Sequence, residues 1–404
     1  MLLTGAGNDQ NNIPLNAISH PRPRLCVLFR PLLTLAAGAA LFLTAAHVYA
    51  QAPQYNVTVL DGLGGTQTVA EGINASGQVV GWTSDTNTNQ YAVAWNGSAT
   101  PTVLGSLGST NHNIAVGINA SGQIAGQAPP INGPTENVVV WNVNTPGTAT
   151  ALNLQGIEGR PYSINDLGQV AGFLFNGPGL GAVWNLNTPG TETTLTPLNG
   201  DIGSFAFAIN DSGKIAGVSS DNNGNENAVV WNVNAPGSPT ALGFLGEPGV
   251  PLSQPDAINA SGQVAGSSYI AGSDGYYHAV VWNGTTPTDL GTLGGTTSNA
   301  NAINDSGEVV GSAMTSAGSY DPFLYTDGEM YDFNNLLAPG SGVTNIVFSE
   351  NPGTINDSGQ IAANGEYDGQ QVALLLTPTP EPGSAGLLAA GGALLLGCRR
   401  RRIT

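Results

Sequence analysis

Histidine and cysteine, which often carry covalent catalysis and metal binding, are sparse in this chain of 404 residues. His112 and His278 belong to no Ser-His-Asp order, no His-x-x-x-His spacing and no phosphate loop. Cys26 and Cys398 lie near the two ends, so the body has no disulfide and no cysteine-based zinc site. We therefore predict that the chain is not an enzyme, with no catalytic residue and no metal site.

Carboxylates are the catalytic groups that the chain has in number. Two of them suffice for glycoside hydrolysis, which leaves a polysaccharide-active enzyme as an alternative. Many occur in one repeated turn, at Asp166, Asp211, Asp305 and Asp357. Turns favour Asp because its side chain bonds the nearby backbone, so these four do not indicate catalysis.

One polar loop, Asp221-Asn222-Asn223-Gly224-Asn225-Glu226, offers the oxygen ligands that Ca²⁺ prefers. Its register does not match an EF-hand loop. We predict no cofactor and keep a calcium-dependent adhesin as a second alternative.

Charge is scarce and one-sided. Only 9% of the residues are charged, against about 25% in an average soluble domain. Residues 51–380 carry 25 acidic side chains against Arg160 and Lys214, a formal net charge of −23. Such a surface repels phosphate backbones, which excludes nucleic acid as a partner.

Three phrases recur along the chain in a fixed order. The first, Ile73-Asn74-Ala75-Ser76-Gly77-Gln78-Val79-Val80-Gly81, returns six times, at spacings of 45, 46, 45, 49, 45 and 52 residues. Its asparagines are Asn74, Asn119, Asn165, Asn210, Asn259, Asn304 and Asn356. The second phrase is a small residue followed by Val-Val-Trp-Asn or a close variant, and its tryptophans are Trp95, Trp141, Trp184, Trp231 and Trp282. The third phrase reads Leu-Gly-x-Leu-Gly. This pattern indicates a repeat architecture.

Each unit predicts four short strands, which in the first unit cover Thr68–Ile73, Gln78–Thr83, Ala92–Asn96 and Thr102–Leu107. The Asn-x-Ser-Gly tetrad after the first strand is typical of a hairpin turn, because Asn bonds its own backbone and Gly accepts a positive φ. No stretch of the body has a sustained helical period, so the predicted class is all-β.

Four strands in about 45 residues make one β-propeller blade, which predicts a seven-bladed propeller over residues 51–378. The seventh unit predicts strands only at Gly353–Ile355, Gln360–Ala363 and Gln371–Leu376. We expect Tyr55–Asp61 to supply its fourth strand, because this closes the ring and removes an open edge. The tryptophans should then pack between neighbouring blades. A β-solenoid is the alternative fold.

The repeats resemble the HAF-type extracellular repeat. Leu290-Gly291-Thr292-Leu293-Gly294-Gly295 and the stretch from Ala302 to Gly311 match the first two segments of its pattern, and His278-Ala279-Val280-Val281-Trp282 matches the third with Val in place of Phe. The resemblance covers about residues 55–378. It implies a propeller fold and secretion, and no defined activity.

The N-terminal segment has the features of a secretory signal. Arg22, Arg24 and Arg30 precede an apolar stretch over Leu32–Val48, and Val48-Tyr49-Ala50 fits a cleavage site. We predict that residues 1–50 are a helical signal peptide cleaved near Ala50. An uncleaved membrane anchor is the alternative.

The C-terminal segment, residues 379–404, resembles the PEP-CTERM sorting signal. It contains Pro380-Glu381-Pro382, a mostly apolar stretch over Gly383–Cys398, and Arg399, Arg400, Arg401 and Arg402. A helix of sixteen residues spans about 24 Å, short of a hydrocarbon core of ~30 Å, so it crosses only with snorkelling arginines. These arginines hold that end in the cytoplasm.

The sorting resemblance implies an exosortase as the processing partner and a short transmembrane helix as a transient inner-membrane anchor. It also implies delivery to the cell envelope or extracellular matrix of a Gram-negative-type bacterium with exopolysaccharide. An ordinary tail anchor is the alternative.

The variable segments fall between the second and third strands of each unit, at residues 84–90, 127–137, 173–180, 218–227, 267–277, 312–320 and 364–370. In a propeller they share one rim, and Tyr269, Tyr276, Tyr277 and Tyr320 among polar residues suit neutral sugar. We predict a secreted, non-catalytic surface or matrix protein associated with exopolysaccharide. An enzyme should instead bring carboxylates together at the channel mouth.

Overall fold

The structure, a computed structural model, describes residues 53–379 except positions 110, 132–135, 153–157, 176, 178, 247–251 and 271–274. The predicted signal peptide with Ala50, and Pro380, Glu381, Pro382 and Arg399–Arg402 of the predicted sorting signal, lie outside these residues. No helix in the described part of the chain is long and apolar enough to cross a membrane.

Seven four-stranded antiparallel sheets form a seven-bladed β-propeller, which confirms the predicted architecture. The strands of each blade are given from the innermost outward. Blades one to three are β2 (Gly64–Ile73), β3 (Val79–Asp85), β4 (Gln90–Trp95) and β5 (Thr102–Val103); β6 (Ile114–Ile118), β7 (Gln123–Ala128), β8 (Asn137–Asn142) and β9 (Thr150–Ala151); and β10 (Gly159–Ile164), β11 (Gln169–Leu174), β12 (Leu180–Asn185) and β13 (Glu192–Thr194). Blades four to seven are β14 (Gly203–Ile209), β15 (Lys214–Ser220), β16 (Glu226–Asn232) and β17 (Ala235–Ala241); β18 (Ser253–Ile258), β19 (Val264–Tyr269), β20 (Tyr277–Asn283) and β21 (Thr286–Asp289); β22 (Gly294–Ile303), β23 (Val309–Thr315), β24 (Tyr320–Thr326) and β25 (Glu329–Asp332); and β26 (Val343–Val347), β27 (Ile361–Tyr367), β28 (Gln370–Pro378) and β1 (Tyr55–Leu60).

The N-terminal strand closes the ring as expected. β1 pairs with β28 over its whole length, from Tyr55 opposite Pro378 to Leu60 opposite Ala373. Blade seven therefore takes its outermost strand from the start of the body and its other three strands from the end. The strands of the described residues all lie within Tyr55–Pro378, and the buried cores between blades are formed within this range.

Most predicted strands shift by a few residues at their ends, and two differ more in the structure. The prediction of a strand at Gly353–Ile355 is wrong, because the regular inner strand is β26 and only a bridge between Ile355 and Ile361 remains there. The longer 52-residue spacing interrupts this strand after Val347. The outer strand of blade one ends at Val103, where Gly105 leaves the sheet and donates to Pro146 O at 2.7 Å; a Cβ there would lie 2.5 Å from Gly147 O.

The five repeated tryptophans are all buried, each in a core between two blades. Four of them donate Nε1–H to a backbone oxygen of the preceding blade, at 2.6–3.0 Å; the acceptors of Trp95, Trp141, Trp231 and Trp282 belong to Asp61, Gly105, Thr196 and Gly243. Each acceptor follows a buried leucine of the third phrase, so the second and third phrases together form the contact between blades.

Candidate ligand-binding site

One axial end of the propeller, which we call the turn face, is formed by the seven turns after the innermost strands. Each repeated asparagine is buried and donates Nδ2–H to the backbone oxygen of the next one, at 2.9–3.1 Å. Asn356 completes the circle by donating to Asn74 O at 3.0 Å. These side chains thus form a closed ring of seven hydrogen bonds. They surround an axial cavity of about 220 Å³.

The position after each asparagine is Asp in four blades and Ala in three. In the four blades, Oδ1 of the aspartate accepts a hydrogen bond from the backbone N–H of the equivalent residue in the preceding blade, at 2.7–2.9 Å. The turn aspartates, Asp166, Asp211, Asp305 and Asp357, therefore have a structural role, but they bond the preceding blade and not, as the sequence had suggested, the nearby backbone of their own turn.

The opposite end, which we call the loop face, is where the second strand of each blade leads into the third. Six innermost strands carry a one-residue β-bulge two positions before their last isoleucine; the bulged residues are Glu71, Val116, Tyr162, Phe207, Asp256 and Asn301. Bulges commonly re-aim side chains next to functional sites. Here the repeated framework displays a different residue at the same place in each blade.

Blade seven replaces the bulge by a longer segment, Phe348–Gly353, which contacts both neighbouring blades. Ser349 Oγ and Asn351 Nδ2 donate to Glu71 Oε2, the latter at 2.8 Å, and Asn301 Nδ2 donates to Ser349 O at 3.3 Å. Burial raises the pKa of Glu71 above its ordinary value, while hydrogen bonds from Ser349, Trp82 and Asn351 oppose that rise. The segment therefore holds Glu71 in place, and Glu350 lies between the two residues that bond Glu71.

A cavity of about 390 Å³, which we call the loop-face pocket, is lined by residues of blades four to seven, most of them from blade five. It is lined by Glu226, Leu252, Ser253, Gln254, Asp256, Ser267, Tyr277, Asn299 and Glu350. Its size is within the range of small-ligand sites. Three carboxyl groups therefore meet in one pocket, which the scatter of acids along the sequence did not predict.

Asp256 is the buried carboxyl group of this pocket, with 7% of its surface exposed. Gln254 Nε2 donates to Oδ1 at 3.2 Å, and Oδ2 has no partner among the described residues. Burial raises the pKa of Asp256 to about 8; the charge of Glu350 adds to the rise, and the amides of Asn299 and Gln254 oppose it. Burial therefore favours the protonated form of Asp256.

Aromatic rings form a cluster on blades three and four at the loop face. Phe173 packs against Phe175 and Phe205, with ring centroids 4.6 and 4.9 Å apart, and Tyr162 packs against Phe207 at 5.4 Å. Phe175 is 52% exposed. Sequence reasoning missed this cluster, although Phe175 lies in one of the variable segments.

The tyrosines predicted for sugar contact lie on the same face but are not equivalent. Tyr276, Tyr277 and Tyr320 are exposed, whereas Tyr269 is half-buried at the end of β19. The hydroxyl of Tyr320 is 2.8 Å from Thr297 Oγ1. Only Tyr277 also lines the loop-face pocket.

The other chemistry-bearing residues take local roles. His278 lies inside β20, not in a loop, and its Nδ1 is 2.9 Å from both carboxylate oxygens of Asp289. Asp221 accepts backbone hydrogen bonds from Asn223 and Asn225 of its own loop, at 2.7 and 3.0 Å. Hydrogen bonding from Asn225 and Asn223 lowers the pKa of Asp221 below its ordinary value. No cluster of three metal-ligating side chains occurs among the described residues.

No family model matches the chain, and no curated protein does. Among solved structures, it is similar to the β-propeller domain of the Trilobed protease from Pyrococcus furiosus, with 11% identity over 78% of this chain and 93% of that one and a TM-score of 0.52. That domain is described as having an open velcro topology, whereas β1 closes the ring here. TolB from Acinetobacter baumannii (13% identity, 81% and 80% coverage, TM-score 0.41) and dipeptidyl peptidase 4 from Porphyromonas gingivalis (10%, 75% and 51%, TM-score 0.41) are more distant. At such identities the similarity establishes a β-propeller fold and no activity.

Proposed function

We propose that this chain is an exported, non-catalytic surface or matrix protein that binds extracellular polysaccharide through its loop face. An exosortase would process it at Pro380-Glu381-Pro382 and so release it from the inner membrane. The observation that carries the binding role is the set of exposed rings on the loop face, at Phe175, Tyr276, Tyr277 and Tyr320. Aromatic rings offer flat apolar surfaces on which a sugar ring can stack.

The contrast between the two faces supports this choice. The turn face is built from a repeated motif whose polar groups are engaged between blades. The loop face instead combines segments of different length and composition, and its pocket includes the bulged residue Asp256. Binding surfaces are commonly made of variable loops on a rigid scaffold.

The test is a glycan-array screen of residues 51–379, which include the whole closed ring, followed by titration of any polysaccharide that binds. Phe175→Ala and Tyr320→Ala should each weaken binding about fivefold or more, because each removes one stacking surface. Leu167→Ala is the matched control, since Leu167 is an exposed apolar residue on the turn face. Absence of binding to every array glycan, or equal losses in the control, would contradict the proposal.

One observation favours a polysaccharide-active enzyme as the second candidate. Glu226, Asp256 and Glu350 line a common pocket, as the sequence argument required of an enzyme. A protonated Asp256 would be the acid and Glu350 the base or nucleophile of a glycosidase. This candidate predicts new reducing ends from a bound polysaccharide, lost in both Asp256→Asn and Glu350→Gln. Binding without such products rejects it.

A further inference from the structure

The loop-face pocket carries acidic groups without a basic partner among its described lining residues. Glu226, Asp256 and Glu350 line it, and none of its described lining residues is Lys, Arg or His. Neither basic residue of the body lines it: Arg160 lies at the start of β10 in blade three, and Lys214 lies at the start of β15, beside the turn of blade four on the turn face. The net charge of −23 over residues 51–380 adds to the negative potential.

Asp256 provides an independent indication of a missing partner. Its carboxyl group is more than nine-tenths buried, lines the pocket, and leaves Oδ2 without a hydrogen bond among the described residues. Buried polar atoms normally have a partner, and the exceptions often mark the place of an ion, a water or a ligand. The pocket is therefore incomplete as a purely structural feature.

We propose that the loop-face pocket binds an amino-sugar residue through its ammonium group. Asp256 and Glu350 would contact the ammonium, the amides of Gln254 and Asn299 would contact hydroxyl groups, and Tyr277 would cover the sugar ring. The sugar part of this inference rests on the proposed function, whereas the ammonium part rests on the charge and burial of the pocket.

Other ligand classes fit the lining less well. An anionic sugar would meet acidic groups and no basic side chain among the described lining residues. A neutral sugar would leave the negative potential uncompensated. A divalent metal ion needs several ligands within about 2.5 Å of one point, and the described acidic and histidine side chains form no group of three with that geometry.

The experiment is calorimetric titration of residues 51–379 with glucosamine, and in parallel with glucose and N-acetylglucosamine, which lack the ammonium group. We expect glucosamine to bind at least tenfold more tightly than either. Asp256→Asn and Glu350→Gln should each weaken glucosamine binding at least tenfold. Asp327→Asn is the control, because Asp327 lies in the exposed turn between β24 and β25.

Proton release on binding is a second readout, which distinguishes a pocket that binds an ammonium group from one in which water fills the place beside Asp256. The ammonium group favours the ionised form of Asp256, so binding at pH 7 should release protons. Titrations in buffers of different ionisation enthalpy measure that release. Glu226, Glu350 and Tyr277 also face the pocket, so loss of the release in Asp256→Asn assigns it to Asp256.

Three results would overturn the proposal: equal affinity for glucose, unchanged affinity in both carboxyl variants, or equal affinity for cyclohexylamine, which has the ammonium but no hydroxyl groups. Polysaccharide binding on the array that depends on Phe175 but not on Asp256 or Glu350 would reject this site and keep the proposed function. Glucosamine binding without any array signal would keep this site and reject the proposed binding of polysaccharide.

Discussion

Replacement of Trp231 by Ala tests whether the contacts between blades stabilise the ring. The Trp231 side chain is 1% exposed and packs with Val183, Leu195 and Ile215 between blades three and four. Truncating a buried aromatic to Ala costs about 3–5 kcal/mol. The loss of the 2.7 Å hydrogen bond to Thr196 O adds about 1 kcal/mol. We expect a decrease of this combined size in the free energy of unfolding.

Trp231→Phe separates the two contributions. Phe keeps most of the apolar contact and loses the N–H donor, so the expected decrease is about 1–2 kcal/mol. Urea unfolding of residues 51–379, followed by tryptophan fluorescence and by circular dichroism, measures both variants. Leu167→Ala should change stability by less than about 0.5 kcal/mol, because this side chain is 58% exposed. A loss below about 1 kcal/mol for Trp231→Ala would refute the assigned role of the tryptophans.

Four further predictions concern closure, the asparagine ring, pH and sorting. Deleting Tyr55–Asp61 should expose the edge of β28 and cause aggregation or a broad melting transition in light scattering and calorimetry; melting like that of the intact ring would contradict the closure. Asn210→Ala removes the bond to Asn259 O and three bonds to its own turn, so urea unfolding should show a loss of about 2–4 kcal/mol, against little change for Asp327→Asn. Burial raises the pKa of Asp256 to about 8 from an ordinary value of 3.8, so the folded state binds more protons than the unfolded state between these pH values. The free energy of unfolding should therefore fall as pH rises from about 4 to about 8, and it should fall less in Asp256→Asn. If the melting temperature of Asp256→Asn followed the same pH profile as that of the unsubstituted protein, the raised pKa would be wrong. Replacing Pro380-Glu381-Pro382 by Ala should leave the body outside but tethered to the inner membrane of an exosortase host, and removing Arg399–Arg402 should weaken membrane retention, as fractionation would show; unchanged release of the triple variant would indicate an ordinary anchor.

The architecture could be predicted from the sequence because every blade repeats the same local signals. The Asn-x-Ser-Gly tetrad specifies a hairpin, and the tryptophan and leucine phrases recur at fixed distances from it. The seventh unit lacks one strand, and the N-terminal strand belongs to no unit. A closed ring in which that strand completes the seventh blade accounts for both observations. Prediction failed at Gly353–Ile355, where extra residues interrupt the repeat and the periodic signal no longer places the strand.

The candidate site was largely beyond sequence reasoning. Asp256, Glu350 and Glu226 are 30–124 residues apart, and nothing in their local sequence links them. The sequence held one signal for Asp256. The residue two positions before each repeated isoleucine differs from unit to unit, as Glu71 and Asn301 show, while its neighbours are mostly small residues. A β-bulge makes that position special, and bulges are visible only in the pairing of two strands.

The sequence by itself determined the number of blades, their strand order and the burial of the tryptophans, since each depends on contacts within a unit or between consecutive units. It also determined the ring closure by Tyr55–Leu60, because the seventh unit lacks one strand and the N-terminal strand has no unit of its own. Only the tertiary structure decided that Asn356 bonds Asn74 across the ends of the ring, that Phe173 packs against Phe205 of the next blade, and that Asp256 and Glu350 share a pocket. These contacts join residues of separate blades, or of distant positions in the chain. Ring closure, rather than any local preference, brings them together, because every blade presents its innermost strand to the same axis.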